Sequence, residues 1–210
     1  MLRIFIADDH AVVRAGLRHI LEDTGEFAVV GEAANGVELL ELVRSSEVDL
    51  VILDLSMPGR GGVEILPRLR EERPRLPVLI LSTYPEEQYA VRLIKAGAAG
   101  YLNKESAPEL LVRAVRQIFR NGRYISETVA ELLANQVAGR GVTAGHEQLS
   151  NREYEVLRLL GSGKTVSEVA EKLSLSVKTV STYRTRLLAK LGLHGNADLI
   201  RYVIESRLAD

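Results

Sequence analysis

The chain has 210 residues, 46% of them hydrophobic and 26% charged, with a formal net charge of -1, which fits one large or two modest globular domains. It contains no cysteine, so disulfides, thiolate catalysis and cysteine metal sites are excluded. No apolar run reaches the roughly 18 residues of a membrane span.

The opening stretch, Arg3-Ile4-Phe5-Ile6-Ala7, reads as a strand ending at two acids, Asp8 and Asp9, rather than as a signal peptide. A cytoplasmic protein without membrane attachment is expected. Further strands are predicted near 28–33, 49–53, 77–81 and 99–102, with helices near 11–22, 36–46, 62–72, 86–96 and 107–120. Gly25, Gly36, Pro58-Gly59, Pro74, Pro77 and Gly97 fall between these elements. Five strand–helix units predict an α/β fold with a five-stranded parallel sheet covered on both faces.

After Asn121-Gly122 the pattern changes. A short helix is predicted over 126–137, with Ser126 as its N-cap. Residues 138–145 are small and aperiodic and read as a flexible linker, the alternative being an ordered surface loop. Everything from Leu149 looks helical. Ser150-Asn151-Arg152-Glu153 fits a capping box, and Gly161-Ser162-Gly163 stops the helix that follows. A second helix over 165–173, a tight Ser174-Leu175-Ser176 connection and a third helix over 177–191 suggest helix-turn-helix. A fourth helix covers 197–206. The predicted division is 1–122, a connecting segment 123–148 with the short helix, and an all-α domain 149–210.

Charge divides weakly along the chain. From His146 onward 10 Lys+Arg face 8 Asp+Glu, leaving 17 against 20 in the preceding 145 residues. The local pattern is sharper: Ser176 to Gly192 holds Lys178, Arg184, Arg186 and Lys190 and no acid. A basic helix suggests nucleic acid, the alternative being a solvated face. On a helical wheel Val177, Val180, Leu187, Leu188 and Leu191 cluster on one side. Lys178, Thr182, Thr185 and Arg186 lie opposite, with Ser181 at the edge. Hydroxyls between cations suit a major groove, where hydroxyls reach base edges and cations meet phosphates. Arg184 falls on the apolar side, where its stem can pack and its head reach a phosphate or an acid.

The strand ends carry the other chemistry. Asp8 and Asp9 end the first strand, Asp54 the third and Ser82 the fourth, and Lys104 follows the fifth. In an open parallel sheet these ends share the edge where ligands bind. Crowded carboxylates repel unless a cation lies between them, and Mg2+ is a hard ion that suits oxygen ligands. Asp54 is then a candidate nucleophile for an acyl phosphate, with Ser82 and Lys104 on the phosphoryl oxygens. Each acid alone is more simply a loop-start or cap residue; their recurrence in order argues for a site.

Two attractive motifs fail. Gly161-Ser162-Gly163-Lys164-Thr165 lacks the first glycine of a P-loop, because position 158 is Arg158, and it follows a helix. His10, His19, His146 and His194 show no metal-ligand spacing, and His10, though beside Asp9, reads as a loop or helix-start residue rather than a ligand.

Asp8-Asp9, Asp54 with Met57-Pro58-Gly59, Ser82 and Lys104 resemble the bacterial response-regulator receiver domain, which has a flavodoxin-like fold. Leu149-Ser150-Asn151-Arg152-Glu153, Val169-Ala170, Ser176-Val177-Lys178-Thr179-Val180 and Leu188-Ala189-Lys190-Leu191 resemble a LuxR-type helix-turn-helix. In this order they resemble the NarL/FixJ family over nearly the whole chain. The stretch Thr179-Val180-Ser181-Thr182-Tyr183-Arg184-Thr185-Arg186 is similar to the GacA/UvrY group within it.

The resemblance implies a two-component transcription factor, phosphorylated on Asp54 by a sensor histidine kinase. Asp9, Asp54 and the Ser56 carbonyl would bind Mg2+, with Asp8 acting through water. Lys104 would pair with the phosphoryl group, Ser82 would move toward it, and Tyr101 would rotate in response. Lys178, Ser181, Thr182, Tyr183, Thr185, Arg186 and Lys190 would meet promoter DNA. A phosphorylated homodimer would form through Val13, Leu17, Leu111, Ala114 and Ile118, with Leu199, Ile200 and Val203 as further contacts or as core. Two departures from the family are Gly61, where many receivers have aspartate, and Tyr84, a position that tunes dephosphorylation. The rivals are a phosphohydrolase, disfavoured by Ser56 where a second aspartate is usual, and a regulator that works without phosphorylation.

Overall fold

The computed structural model describes residues 1–57, 61–138, 145–206 and 208. It divides into two compact units, Met1–Ala134 and Asn135–Asp210.

In the first unit, five parallel strands are ordered β2-β1-β3-β4-β5: β1 Leu2–Ala7, β2 Phe27–Ala33, β3 Leu50–Asp54, β4 Val78–Ser82 and β5 Gly100–Asn103. This is the flavodoxin-like order, with its switch point between β1 and β3. Every residue of β3 and β4 is buried. Central parallel strands have both faces covered, which explains why these two read as unbroken apolar runs.

The helices are α1 Ala11–Glu22, α2 Gly36–Ser45, α3 Gly62–Glu72, α4 Glu86–Lys95 and α5 Ala107–Asn121. One cluster joins Ile4, Ile6, Leu50, Ile52, Leu79 and Leu81 of the sheet to Leu17 and Leu21 of α1 and to Leu111, Ala114, Val115 and Ile118 of α5. Side chains alternate along a strand, so Phe5, Val51 and Leu53 point to the opposite face, covered by α2, α3 and α4. There Phe5 lies over Gly31, where an added Cβ would come within 2.6 Å of its ring. Gly122, with φ +77°, closes α5.

α6, Glu127–Val137, begins where Ser126 Oγ accepts from the Val129 amide at 3.2 Å, as its sequence predicts. The division between the units falls inside it. Most of the predicted linker, positions 139–144, lies outside the described residues, as do Pro58 and Gly59.

In the second unit a 3-10 turn, Gly145–Gln148, precedes α7 Asn151–Gly161, α8 Val166–Lys172, α9 Val177–Leu191 and α10 Asn196–Glu205. Ser150 and Glu153 form the predicted capping box, and Thr165 with Glu168 forms a second one on α8. Thr165 is therefore a helix cap and not a phosphate-binding residue. Gly161 ends α7 against α10, where an added Cβ would lie 2.4 Å from Val203. The core comprises Val156, Leu157, Leu160, Val169, Ala170, Val180, Leu187, Leu199 and Val203. Leu199 and Val203 are thus core, and of their trio only Ile200 is exposed. Ser174 turns α8 into α9 at φ +52°, a left-handed conformation that costs a non-glycine residue energy.

Candidate functional site

The strand ends meet as predicted. Asp8 follows β1 and its amide donates to the Ala33 carbonyl at 3.1 Å, which fixes it at the sheet edge. Asp54 closes β3 and pairs in register with Leu81, one residue before Ser82; Ser82 in turn pairs with Asn103, one residue before Lys104. Sheet register alone therefore brings these side chains to one edge. The start of α3 presses on the same loop: a Cβ at Gly62 would lie 2.3 Å from the Asp54 carbonyl oxygen. Gly61 is the N-cap of α3 and makes no side-chain capping hydrogen bond.

Asp8 and Asp54 are both 1% exposed. Lys104 Nζ lies 2.6 Å from Asp8 Oδ2 and 2.9 Å from Asp54 Oδ2. The Ser56 amide donates to Asp54 Oδ1 at 3.2 Å. Burial pushes the Asp54 carboxyl above the usual range; Lys104 pulls against this and the Asp8 charge adds to it. Burial works against the Lys104 ammonium too, but Asp54 and Asp8 hold it above its usual value. One partly buried ammonium thus serves two buried carboxylates, and the pocket is short of positive charge. Apart from these contacts with Lys104, and one between Asp9 Oδ1 and His10, the buried oxygens Asp8 Oδ2, Asp54 Oδ2 and Asp9 Oδ1 have no further hydrogen-bond partner. Crowded carboxylates that share so little positive charge are what a divalent cation satisfies.

His10, set aside as a ligand on its sequence, joins the cluster. It is the N-cap of α1, as a helix-start residue should be. Its Nδ1 also lies 2.9 Å from Asp9 Oδ1 and 3.2 Å from Asp8 Oδ1. Potential ligand atoms of Asp8, Asp9, His10 and Asp54 all lie within 4.8 Å of one another. Arg14, which sequence reasoning missed, donates to the Asp8 carbonyl at 2.7 Å and to Glu32 at 3.0 Å. The available signal was its place four residues after His10, one helical turn on.

Ser82 is fully buried, and its Oγ accepts from the Tyr84 amide at 3.1 Å. Tyr101, 1% exposed, donates its hydroxyl to the Tyr84 carbonyl at 2.8 Å. The two residues named as a switch are thus tied to opposite sides of one residue, Tyr84.

On α9, Lys178, Ser181, Thr182, Thr185 and Arg186 are exposed and Tyr183 is half-buried. Thr182 Oγ1 donates to the Lys178 carbonyl at 2.9 Å and Thr185 Oγ1 to the Ser181 carbonyl at 3.0 Å, so both hydroxyls lie against their own helix. Val177 departs from the predicted apolar face and is 51% exposed, because the first residue of α9 precedes the turn that packs. Arg184 donates to Asn196 Oδ1 at 2.6 Å, an amide rather than an acid. Lys190 is also placed differently: its Nζ lies 2.6 Å from buried Glu153 Oε2 and ties α9 to α7.

The proposed pairing residues need a similar correction. Leu17, Leu111, Ala114 and Ile118 are at most 4% exposed and belong to the sheet-facing core; Val13 alone is partly exposed. The outward residues of these helices include Val12, His19, Arg113 and Arg120.

Comparison with known proteins accounts for both units. Residues 4–116 match the response regulator receiver domain, and residues 147–203 match the luxR family of bacterial regulatory proteins. The chain is 36% identical to response regulator UvrY of Escherichia coli K12, over 100% of this chain and 97% of UvrY. It is 37% identical to the oxygen regulatory protein NreC of Staphylococcus carnosus over all of both chains. RcsB from Salmonella enterica serovar Typhimurium, bound to promoter rprA in the presence of the phosphomimetic BeF3-, has 30% identity and a TM-score of 0.67. That match covers 96% of this chain and 97% of RcsB. A structure of two RcsB dimers bound to two parallel DNAs has 29% identity and a TM-score of 0.60 over 98% of each chain. The chain belongs to the NarL/FixJ family of two-component response regulators, transcription regulators that join a receiver domain to a LuxR-type helix-turn-helix.

Proposed function

We propose that Asp54 accepts a phosphoryl group and that its phosphorylation controls both pairing of the chain and binding to promoter DNA. The observation that carries this reading is the buried pair of carboxylates, Asp8 and Asp54, joined by Lys104 at the carboxyl edge of the sheet. The donor is a sensor histidine kinase. A carboxylate oxygen of Asp54 attacks phosphorus, and the donor's P–N bond breaks with its electron pair remaining on the imidazole. Receiver domains bind Mg2+ at an acidic pocket. Asp9, Asp54 and the Ser56 carbonyl would hold the ion here, with Asp8 beside them. When bound, it supplies positive charge to the phosphoryl oxygens.

Lys104 pairs with the new phosphoryl group. Ser82 turns toward it and releases the Tyr84 amide, and Tyr101 follows. Added charge and oxygens of this kind bias a two-state element. The phosphorylated receiver pairs through the outward faces of α1 and α5, and two copies of α9 read two half-sites. Residues 1–122 act as receiver, 123–148 as connection and 149–210 as DNA-binding domain. The protein works in the cytoplasm as a phosphoacceptor rather than an enzyme, with at most slow loss of its own phosphoryl group.

Incubation with acetyl phosphate and Mg2+, followed by mass mapping, tests the reading. Modification on Asp54 is expected. Modification elsewhere, or undiminished labelling of Asp54→Asn, would overturn it.

A further inference from the structure

We propose that Glu86 and Ser126 form a latch that holds the start of α6 to α4, and that phosphorylation of Asp54 opens it. This rests on the reading of Asp54, Ser82 and Tyr101 as a switch, and goes beyond it by naming where the switch lets go of α6, the helix in which the two units divide. The chain before α6 is anchored on the sheet without any latch. The Tyr124 amide donates to the Ala99 carbonyl at 2.8 Å, and buried Tyr124 lies so close to Gly100 that an added Cβ there would sit 3.0 Å from its own Cβ. Two residues on, Ser126 makes two bonds with one hydroxyl: its oxygen accepts from the Val129 amide at 3.2 Å, and its proton goes to Glu86 Oε2. A serine hydroxyl has a single proton, so giving it to a carboxylate leaves the lone pairs for Val129. One side chain thus caps α6 and ties it to the first turn of α4. The negative charge of Glu86 also lies at the favourable, amino-terminal end of α4.

The same turn of α4 is set in place by Tyr84. Its amide donates to Ser82 Oγ at 3.1 Å, and its carbonyl accepts from the Tyr101 hydroxyl at 2.8 Å and from Asn103 Nδ2 at 3.4 Å. Its ring packs on that of buried Tyr89, one turn into α4, with centroids 5.1 Å apart. Only Pro85 stands between Tyr84 and Glu86. The proline ring fixes φ, at -58° here, and leaves no amide proton to anchor the residue elsewhere. Pro85 therefore passes a turn of the Tyr84 peptide on to Glu86 instead of absorbing it. When Ser82 turns to the phosphoryl group and Tyr101 follows, the Tyr84 amide and carbonyl lose these two anchors together. Glu86 moves with the segment, Ser126 loses its acceptor, and the first turn of α6 frays. The coupling is reciprocal: a closed latch opposes the phosphorylated arrangement by as much as that arrangement opposes the latch.

The test reads amide hydrogen exchange by NMR in the full-length chain, with and without beryllofluoride and Mg2+, while fluorine resonances report bound beryllofluoride. In wild type, beryllofluoride speeds exchange of the Val129 and Ala130 amides by about fivefold, the change that loss of one ordinary hydrogen bond gives. Glu86→Ala exchanges there at the fast rate without beryllofluoride and gains nothing from adding it. Glu87→Ala removes the neighbouring charge from the first turn of α4 but leaves Ser126 its acceptor, so it behaves as wild type. Bound beryllofluoride with no faster exchange at Val129, or a Glu86→Ala protein as protected there as wild type, would overturn the latch and leave Asp54 standing as phosphoacceptor. A Glu87→Ala protein as fast as Glu86→Ala would trace the effect to α4 itself and overturn the latch as well. No bound beryllofluoride in wild type would overturn both.

Discussion

Lys104 Nζ and Asp54 Oδ2 lie 2.9 Å apart, and the same ammonium is 2.6 Å from Asp8 Oδ2, so neither carboxylate has a cation of its own. That shared charge keeps Lys104 positive and leaves Asp54 with its carboxyl raised above the ordinary range by burial.

The first prediction is that removing the Asp54 charge stabilises the metal-free protein. A carboxyl whose folded pKa is raised contributes stability below its unfolded value, 3.8, and loses it as pH rises through the folded pKa. In EDTA, Asp54→Asn therefore unfolds at a higher temperature at pH 7, by on the order of 1 kcal/mol, and its advantage disappears toward pH 3.8. Saturating divalent cation reverses the order, because only the wild type gains binding energy, about 2.7 kcal/mol at a hundredfold excess over Kd. Melting curves with and without cation check it. An Asp54→Asn protein less stable than wild type in EDTA at pH 7 would contradict the geometry.

The second concerns Tyr84. Its amide donates to Ser82 Oγ and its carbonyl accepts from Tyr101 Oη, so one peptide segment links both switch residues. Tyr101→Phe removes one of these bonds and destabilises the resting arrangement by about 1 kcal/mol. The resting form has more to lose, so beryllofluoride-induced association should occur at lower protein concentration in Tyr101→Phe. Sedimentation reads this directly; unchanged or weaker association would remove Tyr101 from the switch.

Much of this was legible in the sequence because strands end abruptly. Asp54, Ser82 and Lys104 each follow an apolar run, and parallel register does the rest. His10 was not legible, because an exposed helix-start side chain can point either way and only packing decides. Leu17, Leu111, Ala114 and Ile118 misled because a helix lying on a sheet needs an apolar stripe, and spacing cannot tell that stripe from an interface. The tie from Lys190 to Glu153 was not legible for a different reason: the two are 37 residues apart, beyond any local pattern.

Lys190 yields the third prediction. Burial pushes the Glu153 carboxyl up, but Lys190 and the Ser150 amide and hydroxyl outweigh it and hold the carboxyl below its usual value. A lowered carboxyl contributes stability above its unfolded value, 4.5, and loses it as pH falls through the folded pKa. Lys190→Ala should cost about 1 kcal/mol at pH 7, since the exposed ammonium is partly screened by water, and less in acid. Its DNA affinity should keep most of its salt dependence. Chemical denaturation at pH 7 and pH 4 provides the check. A variant as stable as wild type but with a flattened salt slope would return Lys190 to the DNA phosphates.

The last prediction separates two kinds of contact on α9. Lys178 and Arg186 are exposed and make no ion pair among the described residues, so their charge is available to phosphates. Lys178→Ala should weaken binding to all sequences alike and reduce the slope of log K against log salt by about 0.9. Thr182 and Thr185 carry no charge, and their hydroxyls are parked on the Lys178 and Ser181 carbonyls. Either hydroxyl can rotate to a base edge, and its own helix reclaims it when no base is present. Because the internal bond offsets part of a lost base contact, discrimination per contact should fall toward the low end of roughly 1–3 kcal/mol. Selection from random DNA by wild type and Thr182→Ala should therefore recover different preferred half-sites at similar salt slopes. Identical motifs would remove Thr182 from base readout, and a flattened slope would class it with the phosphate contacts.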